Sequence, residues 1–289
     1  LAVYYTDAAG NKVLSGEKMM IGALVCSIGA VICYMLCYHM TTERVKVEQN
    51  TQKFSFKELI SEIAHNKALI GIIVCALLFL LAQLSLSNMN NYIYPNYFGN
   101  VSAMSLANLA GMVVILVLST FIVKLSAKVG KKELSVIGSI ISAAAFLILF
   151  FIHTDNVWVW IVLVLISSVG TAMFNMVIWA MITDVIDDSE VRTGVRQDGT
   201  IYSVYSFARK LGQACSSGIS GVLLSIIGYT AATAHDPKVV DGIYNVTCLV
   251  PALGMILLFL ALQFLYPLNK KRVEENAKIL KERREAKVQ

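Results

Sequence analysis

Charge is what this 289-residue chain has least of. Asp, Glu, Lys and Arg make up 15% of it and apolar residues 57%, where soluble domains run at about 25% charged and about 45–50% apolar. The shortage is concentrated in stretches. No Asp, Glu, Lys or Arg lies between Lys18 and Glu43, or between Lys67 and Lys124. Further gaps run from Glu133 to Asp155, Asp155 to Asp184, Lys210 to Asp236 and Asp241 to Lys270. A membrane-spanning helix needs about 20 apolar residues. The composition therefore excludes a soluble enzyme, a secreted disulfide scaffold and a nucleic-acid-binding domain, and leaves a polytopic all-α membrane protein.

Other absences narrow the chemistry. No signal-peptide pattern opens the chain. Residues 1–18 read as a polar extracytoplasmic loop, so the chain is expected to begin mid-protein. His39, His65, His153 and His235 lack zinc spacing. Gly130-Lys131-Lys132 lacks the earlier Gly and the Ser/Thr of a phosphate-binding loop. All six cysteines sit in apolar spans. They read as small buried hydrophobes, with neither disulfides nor a metal expected.

The apolar runs predict seven membrane helices, near 19–40, 68–87, 104–123, 134–152, 157–183, 200–228 and 243–266. An uncharged polar hairpin, 88–100, is expected between the second and third. Loops 41–67, 124–133, 184–199 and the tail 268–289 carry 19 of the 24 Lys and Arg, against 3 in the opposite set. The positive-inside rule makes the tail cytoplasmic and residue 1 external. Tyr92, Tyr94, Tyr97 and Phe98 fit an outer aromatic belt. In loop 41–67, Phe56, Leu59, Ile60 and Ile63 recur at i, i+3, i+4, i+7, a short amphipathic helix for the inner membrane surface or the bundle floor. The tail alternates charge, with Glu274/Lys278 and Lys281/Glu285 one turn apart, and reads as a solvated helix.

Helix six departs most from plain hydrophobicity. Ser203, Ser206, Lys210, Gln213, Ser217 and Ser220 form one stripe, with Tyr202, Tyr205, Arg209, Gly212 and Ser216 beside it. Two cations lie roughly 15 Å into the helix. Charges at that depth face a bundle interior or a water-filled path, the alternative being a side chain that snorkels to the interface. On helix five, Ser168, Thr171, Asn175 and Trp179 share a face, suited to a hydroxylated ligand or to helix–helix hydrogen bonds. Between these helices, Asp184, Asp187, Asp188, Glu190 and Asp198 stand against Arg192 and Arg196. Mixed signs at a helix junction suit an ion-pair network that forms in one conformation and breaks in another; a solvated turn is the plainer reading.

These last residues also carry a resemblance. D-x-x-D-x-x-E-x-R-x-x-x-R-x-D-G from Asp184, followed by Tyr202-Ser203 and then Lys210, is a 27-residue core. It resembles the helix ten–eleven region of the glycoside–pentoside–hexuronide:cation symporters of the major facilitator superfamily. Thr41–Val45 and Asn66 also resemble that family, and the likeness spans most of the chain. It implies that 19–40 is the last helix of an amino-terminal bundle, 41–67 the central cytoplasmic loop, and 68–267 the carboxy-terminal six-helix bundle of a twelve-helix fold. The whole would be a bacterial inner-membrane symporter that carries a glycoside with Na⁺ or H⁺ by alternating access and needs its own amino-terminal bundle, where the family keeps its cation site. No cofactor is implied beyond that ion, and no partner beyond the glycoside, the ion and membrane lipid. Residues implied at the substrate and coupling site are Tyr202, Ser206, Arg209, Lys210, Gln213 and Asn175, which stands where melibiose-carrying members place an aromatic sugar contact. Asp184, Asp187, Glu190, Arg192, Arg196 and Asp198 are implied as a gating network. The run Ser206–Ala214 resembles the glucuronide-carrying branch, whose uronate carboxylate an arginine can pair bidentately. Two rivals are a lysolipid cargo on the same fold and a membrane transferase with Mg²⁺ at Asp184, Asp187 and Asp188.

Overall fold

A computed structural model of the chain describes residues 4–6, 12–14, 16–42, 66–230 and 233–286. The amphipathic segment 56–63 lies outside the described residues. The chain divides into two compact units, 1–54 and 55–289.

In the first unit, strands β1 (Tyr4–Thr6) and β2 (Lys12–Leu14) pair antiparallel, Tyr4 opposite Leu14 and Thr6 opposite Lys12. The expected plain loop 1–18 therefore contains a hairpin. The charge-free run after Lys18 lies in helix α1 (Gly16–Met40), 25 residues long.

The second unit is a bundle. Its helices are α2 (Lys67–Tyr92), which continues into a π-helical turn (Ile93–Tyr97), α3 (Val101–Val129), α4 (Lys131–Ile152), α5 (Val157–Thr193), α6 (Asp198–Ile226), α7 (Pro237–Phe264) and α8 (Lys270–Ala286). Asparagines start three of them: Asn66, Asn100 and Asn156 accept from the backbone N–H of Leu69, Ala103 and Trp158 at 3.0, 3.1 and 2.9 Å. A side-chain oxygen there satisfies a first-turn donor that the helix cannot. The chain turns from α3 to α4 on Gly130, whose φ of 113° a side chain would resist.

Among the described residues, six helices (α1, α2 with its π-turn, α3, α4, α5 and α7) are long and apolar enough to cross a membrane. The protein is thus an all-α, multi-pass membrane protein. Helix α6, at 29 residues, has the length but carries the polar face described above.

Three expected boundaries move. The hairpin expected at 88–100 is helical as far as Tyr97, because its uncharged amides and aromatics still allow the backbone to bond internally. The acidic loop expected from Asp184 is helix to Thr193, leaving only 194–197 to join α5 to α6. The tail is helical, as expected, but not freely solvated: Asn276 and Leu280 are buried.

Packing depends on small residues at the crossings. A Cβ on Gly138 would sit 2.5 Å from the Gly170 carbonyl oxygen, so α4 and α5 touch backbone to backbone. Ser142 and Ser167 hydrogen-bond across the same pair at 2.7 Å. Close approach of this kind is how membrane helices gain dispersion energy without a hydrophobic driving force. The expected aromatic belt is partly interior. Tyr94 is buried, and Tyr97 stacks on Tyr244 at 4.7 Å, beside His153 and Trp160. Tyr244 donates to the Leu149 carbonyl at 2.7 Å, which ties α7 to the end of α4. Of the cysteines, Cys75 and Cys248 are buried as expected, whereas Cys26, Cys33, Cys37 and Cys215 are exposed. All six are free thiols.

Candidate functional site

Two hydrophobic clusters fill the bundle, one around Leu69, Phe174, Met181 and Leu262, the other around Ile93, Trp160 and Tyr244. Residues of both clusters border a cavity of about 500 Å³ that draws walls from α2, α3, α5 and α6. Its polar lining is Gln83, Ser87 and Asn90 from α2, Asn108 from α3, Ser168, Thr171 and Asn175 from α5, and Arg209 and Gln213 from α6. Such a wall, amides and hydroxyls interleaved with Phe79, Leu80 and Tyr94, suits a polyhydroxylated molecule, whose hydroxyls need many partners and whose ring faces need apolar contact. The Asn90 side-chain oxygen is buried there with no hydrogen-bond partner in the protein.

Arg209 is the one charged residue in this lining. Its guanidinium lies 4.8 Å from the Trp179 ring centroid and 5.8 Å from that of Tyr205. Two aromatic faces hold a cation by its attraction to the π-cloud while leaving the edge N–H groups available. Among the described residues Arg209 has no carboxylate partner. The Tyr202 ring also packs on Trp179, with ring centroids 5.9 Å apart.

Of the six residues expected at the substrate and coupling site, Asn175, Arg209 and Gln213 meet in the cavity, and Tyr202 packs on Trp179, the ring that Arg209 also meets. Ser206 and Lys210 do not line it. Ser206 is half-buried and Lys210 exposed, and among the described residues Lys210 has neither a hydrogen bond nor an ion pair. The serine stripe divides as well. Ser203 bonds back to the Gly199 carbonyl at 2.6 Å, and Ser220 takes a hydrogen bond from Asn88 of α2 at 3.1 Å. Those serines make hydrogen bonds within the bundle. Sequence reasoning missed Gln83, Ser87, Asn90 and Asn108. Gln83, Ser87 and Asn90 stand at i, i+4, i+7 on α2, a legible stripe that the expectation of a hairpin from residue 88 cut in two.

The charged junction resolves into separate groups around the end of α5. Arg196 binds Asp187, Glu190 and Asp198, each at 2.8 Å. Partial burial pulls its pKa down, but these three carboxylates outweigh that and hold it above the ordinary arginine value, so the guanidinium stays charged at any physiological pH. Asp184 is not part of it. It is buried and pairs with Lys131 of α4 at 2.6 Å. Asp188 binds Arg272 of α8, with Arg192 at 3.9 Å. With each carboxylate turned to its own cation, the three aspartates do not converge on a shared point as a Mg²⁺ site requires.

The comparisons with known proteins agree with this architecture. A family model described as MFS/sugar transport protein matches residues 7–270. A Bacillus subtilis protein named as an uncharacterized symporter is 31% identical over 240 residues, 83% of this chain and 52% of that protein. An Escherichia coli protein named as a glucuronide carrier protein homolog is 30% identical over 259 residues, 87% of this chain and 55% of that one. Another from Escherichia coli, named as a putative sulfoquinovose importer, is 29% identical over 253 residues, covering 86% and 54%. The chain spans about half the length of the curated relatives it matches. Family match, relatives and the Asp184–Lys210 core point the same way: the chain belongs to the sugar-transport family of the major facilitator superfamily, in its glycoside–pentoside–hexuronide branch.

Proposed function

We propose that this chain is the carboxy-terminal portion of a symporter that carries a glycoside with Na⁺ or H⁺ by alternating access. The observation that carries the reading is the cavity, a polar wall with one aromatic-braced cation and no acid of its own. A transporter bundle that supplies one wall of a midplane site has this form. In this reading α6 is the seventh crossing, its polar face turned to the translocation path. The skew of Lys and Arg supports a cytoplasmic α8; in this reading the bundle sits in the plasma membrane and the coupling ion binds mainly in an amino-terminal bundle. Arg209 selects an acid group on the sugar. The relatives named for glucuronide and sulfoquinovose support this, since both compounds are anions.

The test is uptake into vesicles. The full-length protein should accumulate a radiolabelled glucuronide under an imposed Na⁺ or H⁺ gradient, and these 289 residues alone should not. Gradient-driven accumulation by the chain alone would overturn the half-transporter reading.

Arg196 and its three carboxylates form the inside latch in this mechanism, closing the cytoplasmic end when paired and opening when they part. Arg196→Ala in the full-length protein should slow translocation, with substrate affinity unchanged within a few-fold. Stopped-flow uptake measured beside equilibrium binding checks this. A collapse of binding with normal exchange rates would make these residues ligand contacts instead.

A further inference from the structure

The end of α5 carries more negative charge than a helix C-terminus tolerates. Asp184, Asp187, Asp188 and Glu190 fall within seven residues, where the macrodipole is already negative and the last carbonyls lack partners. The latch arginine and Lys131 answer part of that charge. The tail helix answers the rest. Arg272 Nε and Nη2 and Asn276 Nδ2 all donate to Oδ1 of Asp188, at 3.2, 3.1 and 3.0 Å, and the Asp188 side chain is only 4% exposed. Arg283 donates to the carbonyls of Glu190 and Val191 at 3.3 and 3.1 Å, an external cap on the last turn. Arg284 Nη2 lies 3.5 Å from Glu190 Oε2, the same oxygen that accepts from Arg196 at 2.8 Å. That shared oxygen joins α8 to the latch.

We infer that Asp188 is a positioning residue through which α8 holds the end of α5 helical and so presents Asp187 and Glu190 to Arg196. Successive residues on a helix point about 100° apart, so anchoring Asp188 to α8 sets the direction in which Asp187 faces. Without the donors of α8, Asp188 would keep, among the described residues, only Arg192, at 3.9 Å. A buried carboxylate in that position escapes by fraying the helix to reach water. Fraying would carry Asp187 and Glu190 away from Arg196. The inference rests on the reading of Arg196 as the latch.

Amide hydrogen exchange on the full-length protein in lipid nanodiscs tests it without any substrate. Arg272→Ala should speed exchange across 187–193 by about ten-fold or more, because a buried charge loses its partner. Arg284→Ala removes only an exposed side chain and cannot unfold the bundle; it should speed the same amides by about two- to three-fold. Joined to Arg196→Ala, either change should add little beyond the larger single effect, because the residues act as one unit. Exchange at 187–193 within two-fold of wild type in Arg272→Ala, or single effects that simply multiply, would overturn the inference. Should Arg272→Ala fail to fold, Arg284→Ala with and without Arg196→Ala decides. Translocation is read separately. If Arg196→Ala leaves it untouched, the latch reading fails, while exchange still reports whether α8 holds α5.

Discussion

Lys210→Ala in the full-length protein is expected to abolish ion-driven accumulation while leaving downhill substrate exchange measurable. Lys210 stands twelve positions after the first residue of α6, about 18 Å along the helix at 1.5 Å per residue. It is exposed and, among the described residues, unpaired. An ammonium at that depth costs several kcal/mol unless it meets water or a carboxylate. Among the described residues of this bundle every acid lies in a loop, on α8 or within about nine positions of a helix end, and none pairs with Lys210. Under the proposed mechanism the partner is therefore a carboxylate of the amino-terminal bundle, and its pairing ties ion occupancy to closure of the two halves. Lys210→Arg should restore little, since a planar fork does not replace a compact ammonium. The measurement is accumulation ratio against counterflow rate in vesicles. Wild-type accumulation in both variants would show that Lys210 snorkels to the interface, where arginine serves as well.

Arg209→Ala should lower affinity for an acidic sugar by about a hundred-fold, the cost of leaving a charged group without its partner in a dry site. Its guanidinium is the one charge on the cavity wall and is braced by Trp179 and Tyr205. Arg209→Lys keeps the charge but loses the stacked, bidentate geometry and should recover only part of the affinity. Binding of a neutral glycoside should be affected far less. Equilibrium titration of the purified full-length protein with a matched pair, one glucuronide and one glucoside, reads the difference directly. An equal loss for both ligands would make Arg209 a brace of the wall instead of a hook for the acid.

How much of this was legible in the residues varies with the kind of interaction. Helices α4 and α7 lie close to where the apolar runs place them, because in a bilayer every backbone donor must be satisfied within its own segment. Asn66 stood out before its role was visible; it is the N-cap of α2. The stretches 88–97 and 184–193 were misjudged for one reason. Polar side chains there suggested loops, yet a polar residue leaves a helix intact when a neighbouring helix supplies its partner. Asp184 finds Lys131 and Asp188 finds Arg272, 53 and 84 residues away in sequence.

By itself the sequence determined that the protein is helical and membrane-embedded, which ends carry its positive charge, and which family it belongs to. Those properties follow from local composition and from motifs contiguous in the chain. Only the tertiary structure decided that Arg209 lines the cavity while its neighbour Lys210 faces away. Only there do α2 and α3 add Gln83, Asn90 and Asn108 to the wall, and does a charged tail become the clasp on α5. Periodicity gives the angle between two side chains on a helix, but not the direction that either one faces. That is settled by which helices pack together, here at Gly138 against Gly170 and Ser220 against Asn88, contacts between residues far apart in the chain.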